Sequence, residues 1–339
     1  MIREALRGWG FRSDIYAESI ESCAAGEAKP FMRYEPATDG GDLLILHYSL
    51  GSETLEFVKR QGKHARILLI YHNVTPESYF QGVNEPLAEQ IRSGTRELAS
   101  FRGLVQFALA DSEFNRRDLI EVGYEKTGVL PLALDDAARE VDPSKEVTSR
   151  FDDDAVNLLF VGRIAPNKRQ EDVIRAFWHY QQINRRSRLF LVGWWGHAER
   201  YFHWLQGLVR HLDLNDVHFC GHVPLADLAA YYGLADVFVC MSEHEGFCKP
   251  LLECMHFGVP ILAYAAAAVP ETLGGSGVLV RKKRYAPLAE MIDLLATKGE
   301  FRDRVIAQQK ERLEEFGKAE FLAKLRVWVD SVLKDSRRH

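Results

Sequence analysis

Long apolar runs, a paired set of cysteines and a strong net charge are all missing from this chain of 339 residues. No stretch approaches the ~18 consecutive apolar residues of a transmembrane helix, and the start lacks the apolar core of a signal peptide. The 5 cysteines are odd in number and include no close pair typical of a metal site. A net charge of −5 argues against non-specific nucleic-acid binding. These absences predict a cytoplasmic protein with reduced cysteines.

The length and the hydrophobic content of 47% predict two globular domains, each with its own core. The acidic, polar stretch Asp135–Asp154 reads as the linker between them. We therefore expect a first domain over residues 1–140, a second over 141–315, and an amphipathic C-terminal helix over 316–339. Peripheral membrane association is the alternative role of that helix, but its polar face mixes both charge signs, which favours packing on protein.

Apolar strands alternate with helical segments along the first half. Strands are predicted at Phe11–Ala17, Asp42–Tyr48, Ala65–Tyr71, Leu104–Ala110 and Thr127–Leu132. This alternation is typical of an α/β fold with a doubly wound parallel sheet. Asp42–Tyr48 and Ala65–Tyr71 are continuous apolar runs, so we expect both to be central strands buried on two faces. Residues 26–41 are rich in Gly, Pro and charge and are predicted to be loop.

Two histidines, His47 and His72, fall at the carboxyl ends of successive predicted strands. Ligands of such sheets bind beyond these ends. A single histidine at such a place is more often a satisfied structural residue, but two in succession favour a site.

In the second half, Val237–Cys240 reads as a strand, followed by a tight polar turn and a helix opened by Pro250 and ended by Gly258. The helix N-terminus presents the backbone N–H groups of Gly246, Phe247 and Cys248, which suit an anion. Two carboxylates bracket this turn, Glu245 and Glu253. Since carboxylates repel phosphate, they should face the uncharged parts of a ligand, which indicates a nucleotide sugar.

Two cations follow the predicted strand Asn157–Val161, in Gly162-Arg163-Ile-Ala-Pro-Asn-Lys168. Arg163 and Lys168 lie on a loop that enters a helix, a combination that suits a diphosphate. Asp152–Asp154 formally offers an Asp-x-Asp metal pattern, but it precedes a strand instead of following one. We predict a solvated charge run there and no metal.

The spacing of Glu245 and Glu253, with Gly246-Phe247 after the first and Pro250-Leu251-Leu252 before the second, resembles the Glu-x7-Glu signature of the retaining glycosyltransferases of family four. The resemblance implies the GT-B fold, with two Rossmann-like doubly wound domains facing a cleft. It also implies that the C-terminal helix packs back on the first domain. In the family pattern the first carboxylate contacts the donor sugar and the second the ribose of the nucleotide.

The resemblance carries further roles onto matching positions. It implies that His72 lies beside the anomeric carbon and that His47 and Asn73 line the acceptor side. Catalytic roles fall to His72, Arg163, Lys168 and Glu245, with no cofactor. The implied donor-binding residues are Gly162, Arg163, Lys168, His222, Val223, Glu245, Gly246, Phe247, Cys248, Lys249, Leu252 and Glu253.

The expected function is metal-independent transfer of a sugar from a nucleotide-diphosphate sugar to a hydroxyl acceptor, with retention of configuration. No carboxylate nucleophile is evident, which favours front-face transfer, in which the leaving diphosphate takes the acceptor's proton. Two alternatives stay open: another GT-B enzyme, such as a sugar-nucleotide epimerase or phosphorylase, and a weakly active sugar-nucleotide-binding or scaffold protein. The base, sugar, acceptor and oligomeric state are not readable from the sequence.

The resemblance is weakest at the front. The family's opening strand and Gly-rich loop have no counterpart ahead of Ile2. We expect either a start upstream of Met1 or a natively short first domain. In the second case the strand around Phe11–Ala17 should be an edge, or a partner or disorder should fill the gap.

Overall fold

The computed structural model describes residues 1–20, 26–37, 41–50, 53–61, 65–134 and 141–335. The chain forms two compact units. The first comprises Met1–Val74, Glu89–Pro131 and Ala319–His339, and the second comprises Thr75–Ala88 and Leu132–Lys318. The short segment Thr75–Ala88 thus belongs to the second unit, although it lies within the predicted first domain, residues 1–140.

A parallel sheet of four strands in the order β3-β4-β5-β6 forms the centre of the first unit. Its strands are β3 (Leu43–Tyr48), β4 (Arg66–Tyr71), β5 (Phe107–Ala110) and β6 (Thr127–Val129). Five of the six residues of β4 are buried, whereas β3 has a single neighbouring strand and only Tyr48 of it is buried. The prediction of β3 as a central strand is therefore wrong for the described sheet, because it pairs on one side only.

The strand predicted at Phe11–Ala17 is shorter than expected and lies outside the four-stranded sheet. β1 (Ile15–Ala17) pairs in parallel with β2 (Ala28–Pro30), and the two form a separate sheet. β2 falls in the segment 26–41, which was predicted to be loop. Its residues lack an apolar alternation, so no strand signal could be read from them.

The helices of the first unit have recognisable ends. They are α1 (Ile2–Gly8), α2 (Glu53–Gln61), α3 (Glu85–Ser100), α4 (Glu113–Val122) and the C-terminal helix α13 (Lys318–Lys334), which is numbered last in chain order. The Ser112 side chain accepts a hydrogen bond from the Asn115 N–H and caps α4, and Gly123 ends this helix in the left-handed conformation.

The C-terminal helix α13 contacts strands β5 and β6. The Trp328 ring lies 5.8 Å from the Phe107 ring, between centroids, and it lies so close to Gly128 that a Cβ at that position would collide with it. The Lys126 ammonium and the Asp335 carboxylate form an ion pair of 2.6 Å. These contacts account for the grouping of this helix with the first unit.

The second unit is built on a six-stranded parallel sheet in the order β12-β11-β10-β7-β8-β9. Its strands are β7 (Val156–Val161), β8 (Ser187–Val192), β9 (Val217–Gly221), β10 (Val237–Cys240), β11 (Ile261–Tyr264) and β12 (Val278–Val280). Apolar clusters cover both faces of this sheet, which explains why its strands are nearly continuous apolar runs.

Helices connect these strands and cover them. They are α5 (Lys145–Arg150), α6 (Gln170–Ile183), α7 (Glu199–His211), α8 (Leu225–Leu234), α9 (Lys249–Phe257), α10 (Val269–Leu273), α11 (Tyr285–Ala296) and α12 (Glu300–Leu313). Short 3-10 turns occupy Phe31–Arg33, Glu77–Tyr79, Pro166–Lys168 and Glu314–Phe316. The residues of helices α3 and α13 are divided between the two units, because the unit boundaries fall at Ala88 and Lys318.

The predicted linker contains a helix. Ser144 caps α5 through its hydroxyl, and Phe151, directly after this helix, is buried against the Phe190 ring at 4.8 Å between centroids. The part of Asp135–Asp154 that the structure describes is therefore packed onto the second unit. None of the helices in the described ranges combines the length and apolar character that a membrane crossing requires.

Candidate active site

Two loops meet at the carboxyl edge of the second sheet because β7 and β10 are parallel neighbours. The loop after β7 carries Asn167 and Lys168, and the loop after β10 carries residues 241–248. The Glu243 N–H donates to the Asn167 carbonyl at 2.9 Å, and the Asn167 side-chain amide donates to the His244 carbonyl at 3.1 Å. Asn167 is buried, so it joins the two loops in a place shielded from water.

The Lys168 ammonium and the Glu245 carboxylate form an ion pair of 2.5 Å between these two loops. Their side chains are 17% and 9% exposed, so each charge depends on the other for compensation. Residues after β11 also hold the loop that carries Glu245. The Ala268 N–H donates to the Glu245 carbonyl at 3.2 Å, and the Thr272 hydroxyl donates to the Phe247 carbonyl at 2.6 Å.

Glu253 lies on α9, and its carboxylate is oriented by a residue of the preceding helix. The Tyr232 hydroxyl donates to Glu253 Oε2 at 2.5 Å, while the Lys249 ammonium lies 3.6 Å from Oε1. Burial raises the pKa of Tyr232 well above its ordinary value, and the negative charge of Glu253 raises it further. The phenol therefore stays protonated and holds one carboxylate oxygen, which leaves the other nearer to the partly exposed Lys249.

Close backbone packing shapes the loop that carries Arg163. Gly193, after β8, has a φ of 153°, and a Cβ there would collide with the Gly162 carbonyl oxygen. Only glycine fits this approach of the two strand ends. Arg163 follows directly and is exposed, and it forms no ion pair with any residue that the structure describes.

A second group of charges supports the same edge from outside. The Lys283 ammonium lies 2.8 Å from both the Asp172 and the Glu243 carboxylates, and Arg169 contacts Asp172 at 3.0 Å. Burial alone would raise the pKa of Asp172, but hydrogen bonds from Lys283 and Tyr285 and the nearby positive charge lower it below its ordinary value. This network fixes the position of Glu243, two residues before Glu245.

Several residues with predicted donor contacts turn their side chains into the core. Leu252 is fully buried in it, and the Phe247 ring packs on Phe316 at 5.6 Å between centroids. The Leu252 side chain is covered by the core, and toward a donor Phe247 and Cys248 offer their backbone N–H groups. At the sheet's far edge, His222 is exposed after β9 and Val223 packs on the core. The described contacts connect neither to the Lys168–Glu245 pair.

In the first unit, the two predicted histidines form a chain with a third residue, Asp111. His47 Nδ1 lies 2.8 Å from His72 Nε2, and His72 Nδ1 lies 2.9 Å from Asp111 Oδ2. An ionised carboxylate only accepts, so His72 Nδ1 carries a proton and donates it. In the neutral ring Nε2 then accepts from His47 Nδ1, and His47 Nε2 is left as an acceptor.

Desolvation acts on both ends of this chain and favours the neutral form of each group. Desolvation of the His47 ring is the larger cause that lowers its pKa to about 4, and the neighbouring His72 acts in the same direction. The residue as a whole is nevertheless exposed. Burial raises the pKa of Asp111, and the contact with His72 works in the opposite direction. His47 is therefore neutral at pH 7.

Asn73 has a positive φ of 78° and is buried. Its side-chain amide donates to the side-chain oxygen Oδ1 of Asn115 at 2.7 Å. This contact fixes the loop after β4 against α4, and so it positions His72. The acceptor-side role of Asn73 stays a prediction beside this structural contact.

Three residues of these sites were not predicted from the sequence. Asn167 and Tyr232 gave no local signal, because their partners lie 77 and 21 residues away along the chain. Asp111 was not singled out in the sequence as a site residue either. Its position directly after β5, beside the strand end that carries His72, was the signal that could have placed it at the site.

Comparison with known proteins gives one family match. The model described as "Glycosyl transferases group 1" matches residues 142–312, which is half of the chain. A D-inositol 3-phosphate glycosyltransferase of Kineococcus radiotolerans is 34% identical over 173 residues, covering 48% of this chain and 40% of that protein. One of Frankia alni is 29% identical over 329 residues, covering 90% of this chain and 78% of that protein. The first of these matches thus spans less than half of the relative.

Solved structures share the fold. A sucrose-phosphate synthase from Thermosynechococcus elongatus superposes with a TM-score of 0.69 at 20% identity, covering 87% of this chain and 74% of that one. Anabaena HepE, in complex with UDP and glucose, superposes with a TM-score of 0.62 at 16% identity, covering 86% of this chain and 100% of that one. These neighbours are GT-B glycosyltransferases, so the α/β architecture with two parallel sheets is the GT-B fold.

Proposed function

This chain belongs to the glycosyl transferases of group 1, and from that premise we propose that it moves a sugar from a nucleotide-diphosphate sugar to a hydroxyl acceptor. The observation that carries the proposal is the Lys168–Glu245 pair, held at 2.5 Å where two strand ends meet the start of α9. A cation, a carboxylate and a helix N-terminus in one place suit a ligand that has both phosphates and sugar hydroxyls.

In the proposed mechanism the sugar's bond to the diphosphate oxygen breaks while the acceptor hydroxyl attacks from the same face. The leaving diphosphate takes the proton of that hydroxyl, and the configuration at the anomeric carbon is retained. Lys168 and Arg163 stabilise the charge that develops on the diphosphate, which is the largest contribution that such a site can make. The reaction needs no metal ion in this account.

The carboxylates divide the recognition of the donor. Glu245, oriented by Lys168, accepts hydrogen bonds from the donor sugar, and Glu253, oriented by Tyr232, accepts them from the ribose. Backbone N–H groups at the start of α9 and the Lys249 side chain face the phosphates. Both carboxylates are already held in place by neighbours, so little reorganisation is needed on binding.

The histidine chain is proposed for the acceptor side. His47 presents an unprotonated Nε2 at neutral pH, which can accept a hydrogen bond from a hydroxyl group. Asp111 fixes the His72 tautomer from behind. This assignment predicts that Asp111→Asn, which can reverse the hydrogen-bond direction, impairs transfer more than donor binding.

The test begins with the donor. Thermal shift against UDP-, GDP- and ADP-sugars should identify one base, since a ligand at 100 times its Kd stabilises by roughly 2.7 kcal/mol. D-inositol 3-phosphate, named in several relatives, is the first acceptor to assay with that donor. Formation of a glycosylated acceptor supports the proposal, whereas donor binding with no product on any hydroxyl acceptor favours a binding or scaffold protein. Epimerised or phosphorolysed donor would indicate another GT-B activity.

A further inference from the structure

A cluster of three buried side chains includes Glu245 of the ion pair described above and two cysteines whose thiols have no part in the proposed transfer. A sulfur atom of Cys240, a sulfur atom of Cys248 and a carboxylate oxygen of Glu245 all lie within 4.8 Å of one another. The three residues are 1%, 6% and 8% exposed. The cysteines stand eight positions apart in the sequence, and the loop after β10 folds back to bring them together.

Backbone conformation gives a second, independent observation. Cys248 has a φ of 70° and a ψ of 63°, in the left-handed region that favours glycine. A non-glycine side chain is disfavoured in this region. Such strain is found where the surrounding structure gains from the side chain, often at functional sites. Here the strained conformation turns the Cys248 sulfur toward Cys240 and Glu245.

We propose that Cys240, Cys248 and Glu245 form a binding site for one thiophilic divalent metal ion of the zinc class. Two thiolates and one carboxylate are a ligand set that zinc accepts, and thiolate sulfur selects it over magnesium or calcium. Bond lengths of about 2.3 Å to sulfur and 2.0–2.2 Å to oxygen place tetrahedral ligands about 3.5 Å apart. The three atoms, all within 4.8 Å of one another, reach this spacing by small movements of their side chains.

The charges of the site balance in both states. Without metal, the protonated thiols are neutral and Glu245 is compensated by Lys168. On binding, the two thiols release their protons to solvent, and the ligands then carry three negative charges. The divalent ion and Lys168 supply three positive charges, so the buried site stays neutral, as a water-excluded site requires.

Occupation of the site has a functional consequence, which rests on the proposed function. The metal engages the carboxylate that is proposed to receive the donor sugar. We therefore expect zinc to inhibit transfer in competition with the donor. This inference differs from the sequence-based prediction of no metal, which rested on the placement of Asp152–Asp154 ahead of a strand and on the absence of a close cysteine pair.

The experiment is a titration of the full chain with Cd²⁺ as a spectroscopic substitute for zinc, in a reductant without thiols. We expect the ultraviolet charge-transfer band of a cadmium thiolate to saturate at one equivalent. Cys248→Gly is the decisive variant, because glycine suits the observed φ and the protein should keep or raise its melting temperature. This variant should lose half or more of the band and bind Zn²⁺ roughly tenfold more weakly or worse in competition with a chromophoric chelator.

Cys220→Ser is the matched control, since Cys220 is a half-buried cysteine on β9 outside the cluster. It should keep the parent's band and affinity. A parent without the band, or a folded Cys248→Gly with the parent's band and affinity, would overturn the proposal. The binding readouts need no donor or acceptor, so a protein that binds Cd²⁺ but shows no transfer contradicts only the proposed function.

Discussion

The strands of the two sheets are similarly apolar, yet they differ in how much of that surface is covered. All six residues of β8 are buried, whereas four of the six residues of β3 are half-buried and His47 is exposed. β8 lies between β7 and β9, while β3 has one neighbour in the described sheet. An apolar run therefore indicates a strand but not its place in the sheet, because burial depends on neighbours that come from elsewhere in the chain.

The two candidate sites also differ in how much of their polar surface is exposed and in the kind of group they contain. Lys168 and Glu245 form a fully charged pair with little exposed surface, held by several backbone hydrogen bonds. The chain of His47, His72 and Asp111 is a line of titratable groups at an exposed strand end. The first arrangement suits the binding of a charged ligand without reorganisation, and the second suits the positioning of a hydroxyl group.

Removal of the cation from the charged pair should have the largest effect. For Lys168→Ala we expect a loss of about 2–4 kcal/mol of transition-state stabilisation in kcat/KM. The free energy of unfolding should fall too, because Glu245 is left buried without its partner. The double variant Lys168→Met/Glu245→Gln should recover thermal stability but not transfer.

Two single variants serve as comparisons in the same transfer and melting assays. Arg163→Ala should lose transfer with an unchanged melting temperature, since Arg163 is exposed, and Lys282→Ala, another exposed cation, should change neither. A parent-like kcat/KM for Lys168→Ala would remove this residue from the mechanism.

The carboxylate on α9 should affect nucleotide affinity more than turnover. Glu253→Gln removes a charged acceptor and should weaken binding of the free nucleoside diphosphate by about 1.5–3 kcal/mol. Tyr232→Phe keeps the charge and removes only its orienting hydrogen bond, so its effect should be smaller. Calorimetric titration measures both, and equal affinities for the parent and Glu253→Gln would contradict the ribose contact.

The first unit offers a purely structural comparison. Gly128→Ala places a methyl group against Trp328 and should lower the free energy of unfolding by about 1–3 kcal/mol through overpacking. Gly207→Ala in α7, which has open space around it, should raise it by about 0.5–1 kcal/mol. Denaturant unfolding distinguishes the two, and a Gly128→Ala variant as stable as the parent would show that α13 does not depend on this contact.

The smallest effect concerns pH. Burial first, and the Lys168 charge second, lower the pKa of His244 to about 4. An unfolded histidine titrates near 6.5, so between these values the unfolded chain binds a proton that the folded chain does not. Stability should therefore fall as pH falls through this window.

His244→Asn should flatten that dependence, measured as the difference in melting temperature between pH 7 and pH 5. His203→Asn, at an exposed position on α7, is the control. The same slope in the parent and in His244→Asn would show that another group is responsible.

Local spacing was enough to predict the candidate donor-binding residues around the start of α9 and after β7. Glu245 and Glu253 stand on either side of a helix start, and Lys168 follows a strand, so each could be predicted from its immediate neighbours. Tyr232 could not be found in this way, because its partner lies on another helix.

Two further features of the fold could not be predicted from the sequence, for physical reasons. The segment with α5 was interpreted as a linker from its acidic, polar composition, whereas its packing comes from Phe151 against Phe190. The spatial cluster of Cys240 and Cys248 was missed because eight positions in sequence do not match the short spacing of common metal motifs. Both depend on contacts that form only in the folded chain.

The most direct test of the central claim is the nuclear magnetic resonance spectrum of the transfer product made from an α-linked nucleotide-diphosphate sugar. The account predicts a new glycosidic linkage whose anomeric coupling shows the α configuration, formed by the parent and lost in Lys168→Ala. A β-linked product, or equal product from both proteins, would contradict it.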